Sequence, residues 1–106
     1  MIEVDIYKDS MGFVSGCKIA GHAGFAESGQ DIVCSAVSVL AYTTASAIQQ
    51  LLKFQLDGDM IEGKMEFFLT ETANDQTQLL FGTMLIGLNE IAKQYPKRVR
   101  IYEERR

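Results

Sequence analysis

His22 is the only histidine in the chain, and Cys34, one of two cysteines, follows it by twelve residues. Gly21 stands just before the histidine, and glycines recur at 24 and 29. A thiol beside an imidazole can do acyl-transfer chemistry. The imidazole stabilises the thiolate, the thiolate attacks a carbonyl carbon, and the imidazolium then protonates a leaving amine. A glycine-containing loop of this length can return to bring the two groups within about 3–4 Å. Each residue also has a structural reading. A lone histidine in a glycine-rich loop is often exposed or structural, and a cysteine in the first turn of an apolar helix is often a packing residue.

The element that must position Cys34 is a helix. From Ile32 to Leu52, residues Val33, Val37, Leu40, Ala41, Thr44, Ala47, Ile48, Leu51 and Leu52 recur at helical spacing. Asp31 is a good N-cap, which puts Cys34 at the third helical position. Unpaired backbone N–H groups there favour negative charge and lower a thiol pKa from about 8.5 toward neutrality. The same groups can donate to a developing oxyanion. Asp31 has two readings: a cap only, or a group that orients His22 or touches substrate. Ser38, one turn beyond Cys34 on the same face, either hydrogen-bonds near the site or simply packs as a small residue. Cys17 falls among apolar strand residues and reads as a buried, inert thiol. His22, Cys17, Cys34 and the carboxylates form no metal-ligand spacing, so no metal and no cofactor is expected.

The remaining elements read as follows. Ile2, Val4 and Ile6 alternate with polar residues as a half-buried strand, and Lys8 to Gly12 forms a turn. Phe13 to Ala20 forms the second strand of a hairpin, with Phe13, Cys17 and Ile19 on one face. On the first helix, Ser35, Ser38, Ala45 and Ser46 make the opposite, small-residue face. No charge occurs between Asp31 and Lys53, so a second helix or a second copy of the chain should cover this helix. Asp57-Gly58 breaks the pattern. Met60 and Ile61 lead through a Glu62-Gly63 turn into a strand carrying Met65, Phe67 and Leu69. Asn74 or Asp75 caps a second helix with Leu80, Met84, Leu88, Ile91 and Tyr95 on one face, broadened by Phe81, Leu85 and Ala92; Pro96 ends it. Val99, Ile101 and Tyr102 belong to a last strand. The order strand-strand-helix-strand-strand-helix-strand predicts an α+β domain, a largely antiparallel sheet with both helices on one face.

Composition narrows the class further. The 106 residues are expected to form one domain over 1–106, and 47% apolar with 23% charged residues describes a globular chain. A net charge of -4 argues against a general nucleic-acid binder. The basic cluster Lys97, Arg98, Arg100, Arg105 and Arg106 is offset by Glu103 and Glu104 and reads as a solvated terminal strand. With no basic leader ahead of an apolar run, and no long apolar run free of polar residues, neither export nor membrane association is expected. The expected location is the reduced cytoplasm.

The pattern Gly21-His22-Ala23, then Gly29-Gln30-Asp31-Ile32-Val33-Cys34-Ser35-Ala36-Val37-Ser38, resembles the ribosomal-processing cysteine proteases, the Prp family of bacteria. The opening strand pair, the stretch from Asn74 to Leu80 and the terminal helix and strand also resemble that family. The likeness therefore covers essentially the whole chain. It implies an endopeptidase that removes the N-terminal extension of a large-subunit ribosomal protein during ribosome assembly. It further implies an α+β fold, a homodimer, a Cys/His dyad at His22 and Cys34, and a mobile loop between them that opens for substrate. With that dyad, attack by Cys34 would form a thioester acyl-enzyme, and the loop over 23–30 would close over the bound segment. The substrates it implies carry an apolar, aromatic-ended segment ahead of the cut. Two other classes remain in view: a thiol redox protein using Cys34, which would need a resolving thiol, and a non-enzymatic ribosome-associated binding module. The acidic charge and the lack of a basic aromatic surface speak against direct RNA contact by such a module.

Overall fold

The structure is a computed structural model and describes residues 1–21, 32–61 and 63–106. Strands β1 (Ile2–Lys8) and β2 (Val14–Ala20) form an antiparallel hairpin, followed by helix α1 (Ile32–Leu52). Two short strands, β3 (Leu56–Asp57) and β4 (Met60–Ile61), precede β5 (Lys64–Leu69), helix α2 (Asp75–Gln94) and β6 (Val99–Arg105). The sheet runs β3-β5-β2-β1-β6, with β4 also paired to β5. All pairings are antiparallel except β1 with β6. The α+β class expected from the sequence is the one observed.

One sheet face carries the core. Ile2, Val4 and Ile6 of β1, Cys17 and Ile19 of β2, Met65 and Phe67 of β5 and Val99 of β6 are buried. They form one cluster with Val33, Val37, Ala41 and Ile48 of α1 and Phe81, Met84 and Leu88 of α2. Both helices therefore cover the same face. Leu40 of α1 packs directly over Gly87 of α2, where an added Cβ would meet the leucine at 2.8 Å. The uncharged first helix is thus covered in part by the second. By length and composition α1 is also apolar enough to cross a membrane, but its apolar stripe is spent on this core. Phe67 and Phe81 stack with centroids 5.7 Å apart. Phe81→Ala should cost about 3–5 kcal/mol of unfolding free energy, read by urea denaturation; a loss below about 1 kcal/mol would contradict this packing.

The other face is charged and its signs alternate across strands. Arg100 lies opposite Glu3, Lys18 opposite Asp5, and Glu66 opposite Lys18, pairings that favour this register. Phe68 fills the space over Gly16, where a Cβ would come within 2.2 Å of the ring. The Arg106 guanidinium in turn lies 3.6 Å from the Phe68 centroid. The terminal basic cluster is thus partly stacked rather than merely solvated.

Three expectations about individual residues are corrected. Phe13 lies outside β2, and Val14 takes the buried position, because the pairing slips between Tyr7 and Lys8 so that Tyr7 faces Gly16 while Lys8 faces Val14. A bulge of this kind reverses the alternation at one point, which a period of two does not reveal. On α1, Ala45 is buried while Leu51, in the last turn beyond Ile48, is 71% exposed. Beyond these residues, the strand β3 has no counterpart in the sequence pattern. It pairs with the far end of β5, and Gly58, at φ +125, lets the chain turn between β3 and β4 with the Glu66 carbonyl pressed against it.

The start of α2 follows the expected chemistry. Asn74 is the N-cap: its side chain accepts from the Thr77 N–H at 2.9 Å, and the Thr77 hydroxyl accepts from the Asn74 N–H at 2.9 Å. Gln78 then clips the helix to the bulged strand, donating to the Val14 carbonyl at 2.8 Å and accepting from its N–H at 2.7 Å. Asn74→Ala should lower stability by about 1 kcal/mol, seen as a small fall in thermal midpoint with activity retained. An unchanged midpoint would mean that the cap contributes nothing.

Candidate active site

The two cysteines occupy opposite environments. Cys17 is fully buried in the middle of β2, and burial pushes its thiol up to about 12. A neutral, inaccessible sulfur cannot serve as nucleophile or as a resolving thiol. Cys34 is the third residue of α1 and only partly buried. Its position follows from the helix stripe: Val33 and Val37 point into the core, and at about 100° per residue Cys34 falls on the shoulder between core and solvent. The first-turn placement expected from the sequence is observed.

Cys34 opens on a narrow cleft of about 20 Å³, lined also by Ile2, Ile19, Gly21, Ser38 and Lys64. Ser38 is therefore beside the cysteine, one turn along, as its spacing implies. His22, Asp31 and the loop over 23–30 lie outside the described residues. Gly21, bonded directly to His22, lines this cleft. Its N–H donates to the Gly63 carbonyl at 3.2 Å, its φ is +95, and an added Cβ would stand 2.4 Å from the Met1 carbonyl oxygen. Only glycine fits there without displacing backbone. The cleft thus gathers the first turn of α1, the end of β2 and the start of β5.

Nothing in the sequence alone marks Lys64 as a site residue. It is the only charged residue lining the cleft among the described residues. Its position just after the Glu62-Gly63 turn was readable, but its nearness to Cys34 depends on β5 pairing with β2, in the register Ala20 opposite Lys64. Among the described residues no group of three His, Cys, Asp or Glu side chains could hold a metal. What the cleft offers is a thiol, the N–H groups of a helix start and a glycine turn leading to an imidazole-bearing residue. Those are the parts of a covalent acyl-transfer site.

Known proteins share this fold over nearly their full length. The family model for cysteine protease Prp matches residues 1–100. The ribosomal processing cysteine protease Prp of Staphylococcus aureus is 33% identical over 103 residues, covering 95% of this chain and 97% of that protein. The Bacillus subtilis protein of the same name is 28% identical over 107 residues, covering 95% and 96%. Among solved structures, the S. aureus protease in complex with a covalently linked product peptide has a TM-score of 0.90 at 32% identity, covering 97% of this chain and 99% of that one. A Streptococcus mutans protein has a TM-score of 0.81 at 29% identity, covering 100% and 96%. A reachable thiol at a helix start, on a fold shared end to end with these enzymes, has one reading: the chain belongs to the Prp family and is a cysteine protease.

Proposed function

We propose that this protease is an endopeptidase that removes the N-terminal extension of a large-subunit ribosomal protein during ribosome assembly in the cytoplasm, with Cys34 as nucleophile and His22 as acid–base partner. The observation that carries the reading is the contrast between the cysteines: Cys34 opens on a cleft from the first turn of α1, while Cys17 is sealed in the core. Gly21 supports the role of His22, since the residue before it already lines that cleft. The relatives' names supply the substrate class, and the product peptide held covalently by the S. aureus enzyme fits an acyl-enzyme route.

In this mechanism the Cys34 thiolate attacks the scissile carbonyl, and the N–H groups of the first helical turn face the developing oxyanion. The imidazolium of His22 gives its proton to the departing amine as the C–N bond breaks, leaving a thioester on Cys34. Neutral His22 then takes a proton from water, the hydroxide equivalent adds to the thioester, and the carboxylate product leaves with the thiolate restored. Asp31 either caps α1 or steadies His22, and Ser38, which lines the cleft beside Cys34, either hydrogen-bonds to the bound peptide or simply packs there as a small residue. The loop over 23–30 closes on the bound segment and excludes water. Outward apolar residues on the helices, Val39, Leu79 and Ile86 among them, support a homodimer, which sedimentation at increasing concentration would test.

The test of this function is incubation with a peptide spanning an extended ribosomal-protein N-terminus, with products read by mass spectrometry. Cleavage at a single bond is expected, and an intact peptide would refute the assignment. Gly21→Ala should lower kcat/KM by roughly 100-fold, because moving the residue beside His22 by about an ångström disrupts the reacting geometry. Wild-type kcat/KM in that variant would show that the turn does not position the histidine.

A further inference from the structure

The sheet face turned away from both helices carries an ordered row of side chains. Asp57 of β3 pairs with Phe68 of β5, Phe68 with Gly16 of β2, Gly16 with Tyr7 of β1, and Tyr7 with Glu104 of β6. Residues paired across strands share a face, so the row reads carboxylate, aromatic, glycine, aromatic, carboxylate. The glycine decides its shape. With no side chain at 16, Phe68 leans across the gap until its ring centroid is 5.4 Å from that of Tyr7, the planes tilted by 54°. Rings from strands that are not neighbours thus meet as one platform, and both stay partly exposed.

The platform already shows what chemistry it holds. The Arg106 guanidinium lies 3.6 Å from the Phe68 centroid and 5.9 Å from that of Tyr7, within the range at which a cation is drawn to an aromatic face. Charge around the rings has the matching sign. Asp57 and Glu104, both exposed, end the row. In the next row Lys18 stands between Glu66 and Asp5, so its own charge is matched on both sides. The Glu104 carboxyl is held above the usual carboxylate range, first by a hydrogen bond to Asp5 and then by desolvation and the Asp5 charge. Carboxyl groups crowd here, and an added cation relieves them.

The row is remote from the nucleophile. The Cys34 cleft is lined by Ile2, at the start of β1. Tyr7 stands roughly 17 Å further along that strand, at about 3.3 Å per residue, and on the other face of the sheet. A short peptide seated at Cys34 does not reach it, whereas a whole precursor protein does.

We infer that this row is an exosite: the Phe68–Tyr7 platform, flanked by Asp57 and Glu104, takes an arginine side chain of the ribosomal-protein precursor from outside the segment held at Cys34. Arg106 is the seat's own occupant until the precursor displaces it. The inference rests on the protease reading above. A protein that packs on ribosomal RNA is rich in Arg and Lys because it neutralises phosphates, and this chain carries a net charge of -4, so the two are complementary in sign. Arginine suits the seat better than lysine because its planar guanidinium stacks on rings. RNA itself is disfavoured, since the carboxylates at both ends of the row repel phosphate.

The test compares kcat and KM on a short cleavable peptide and on the whole precursor. Phe68→Leu keeps an apolar cover over Gly16 but removes the ring, and Asp57→Asn with Glu104→Gln removes charge at exposed positions. Each change should raise KM for the precursor about 3- to 10-fold, while kcat and both constants on the peptide stay within about two-fold of wild type. Arg106→Ala, which empties the seat, should lower the precursor KM by about 3-fold. Arg105→Ala removes the same charge from the other face and should leave that KM near wild type. A precursor KM that is unchanged in Phe68→Leu, or raised equally on both substrates, overturns the exosite. So does a raised precursor KM in Arg106→Ala, which would make Arg106 part of the surface rather than a stand-in. Binding of single-stranded RNA that is lost in Phe68→Leu overturns it too, by giving the rings to base stacking. A wild-type protein that cleaves neither substrate overturns the protease reading and the exosite together, whereas cleavage with matched effects on both substrates overturns the exosite alone.

Discussion

Cys34→Ala should abolish peptide cleavage, lowering kcat by at least about 1,000-fold, while the variant keeps its fold. The reason is chemical: without the sulfur no thioester can form, and what remains of the site can only bind. The fold should survive because Cys34 sits on the shoulder of α1, and Val33 and Val37 beside it carry the core contacts. His22→Ala should cost about 100- to 10,000-fold, the range for losing a positioned proton-transfer group. The two losses should not multiply in the double variant, since thiol and imidazole act as one unit. Cys17→Ala gives the contrast. It should cost stability through a core cavity, on the order of 1 kcal/mol, and leave kcat near wild type. Wild-type cleavage by either Cys34→Ala or His22→Ala would remove the dyad.

Iodoacetamide near pH 7 should alkylate Cys34 at least about 1,000-fold faster than Cys17. Two effects combine in the slow partner. With its thiol pushed up to about 12 by burial, Cys17 carries only about one part in 100,000 of the reactive thiolate at pH 7. It is also wholly covered by β1, β5 and the helices, so alkylation waits on unfolding. The rate at Cys17 should therefore rise in denaturant, with the contrast between the cysteines collapsing. Equal rates in the native protein, read by peptide mapping, would contradict the burial described here.

Much of this was legible because the strongest signals were local. The helix from Ile32 to Leu52 announced itself by period and by lack of charge, and its observed span is the same. The Asn74 cap was one of two candidates, and Thr77 settles it by completing a reciprocal pair of hydrogen bonds. The errors came from non-local geometry. Val14 replaces Phe13 in the core because of a bulge whose existence depends on pairing with β1. The two-residue strand at Leu56–Asp57 exists only because β5 offers it an edge.

The site divides along the same line. Cys34 and Ser38 lie where helical spacing places them, and Cys17 is buried where strand alternation buries it. Lys64 and Met60 carry no such local signal, since only the placement of β4 and β5 beside α1 brings them toward the cysteine and its neighbour Ser38. The Gly21 turn is intermediate. Its residue type suggested unusual backbone angles, but the close approach of Met1 that forbids any other residue needed the fold.

The central claim, that Cys34 carries the acyl group, is tested most directly by acid-quenching a cleavage reaction on the millisecond-to-second scale and mapping the trapped protein by mass spectrometry. The mechanism predicts an adduct equal to the N-terminal product less one water, confined to the peptide bearing Cys34 and released by hydroxylamine. An adduct on any other residue, or undiminished turnover by protein already carboxamidomethylated at Cys34, would contradict it.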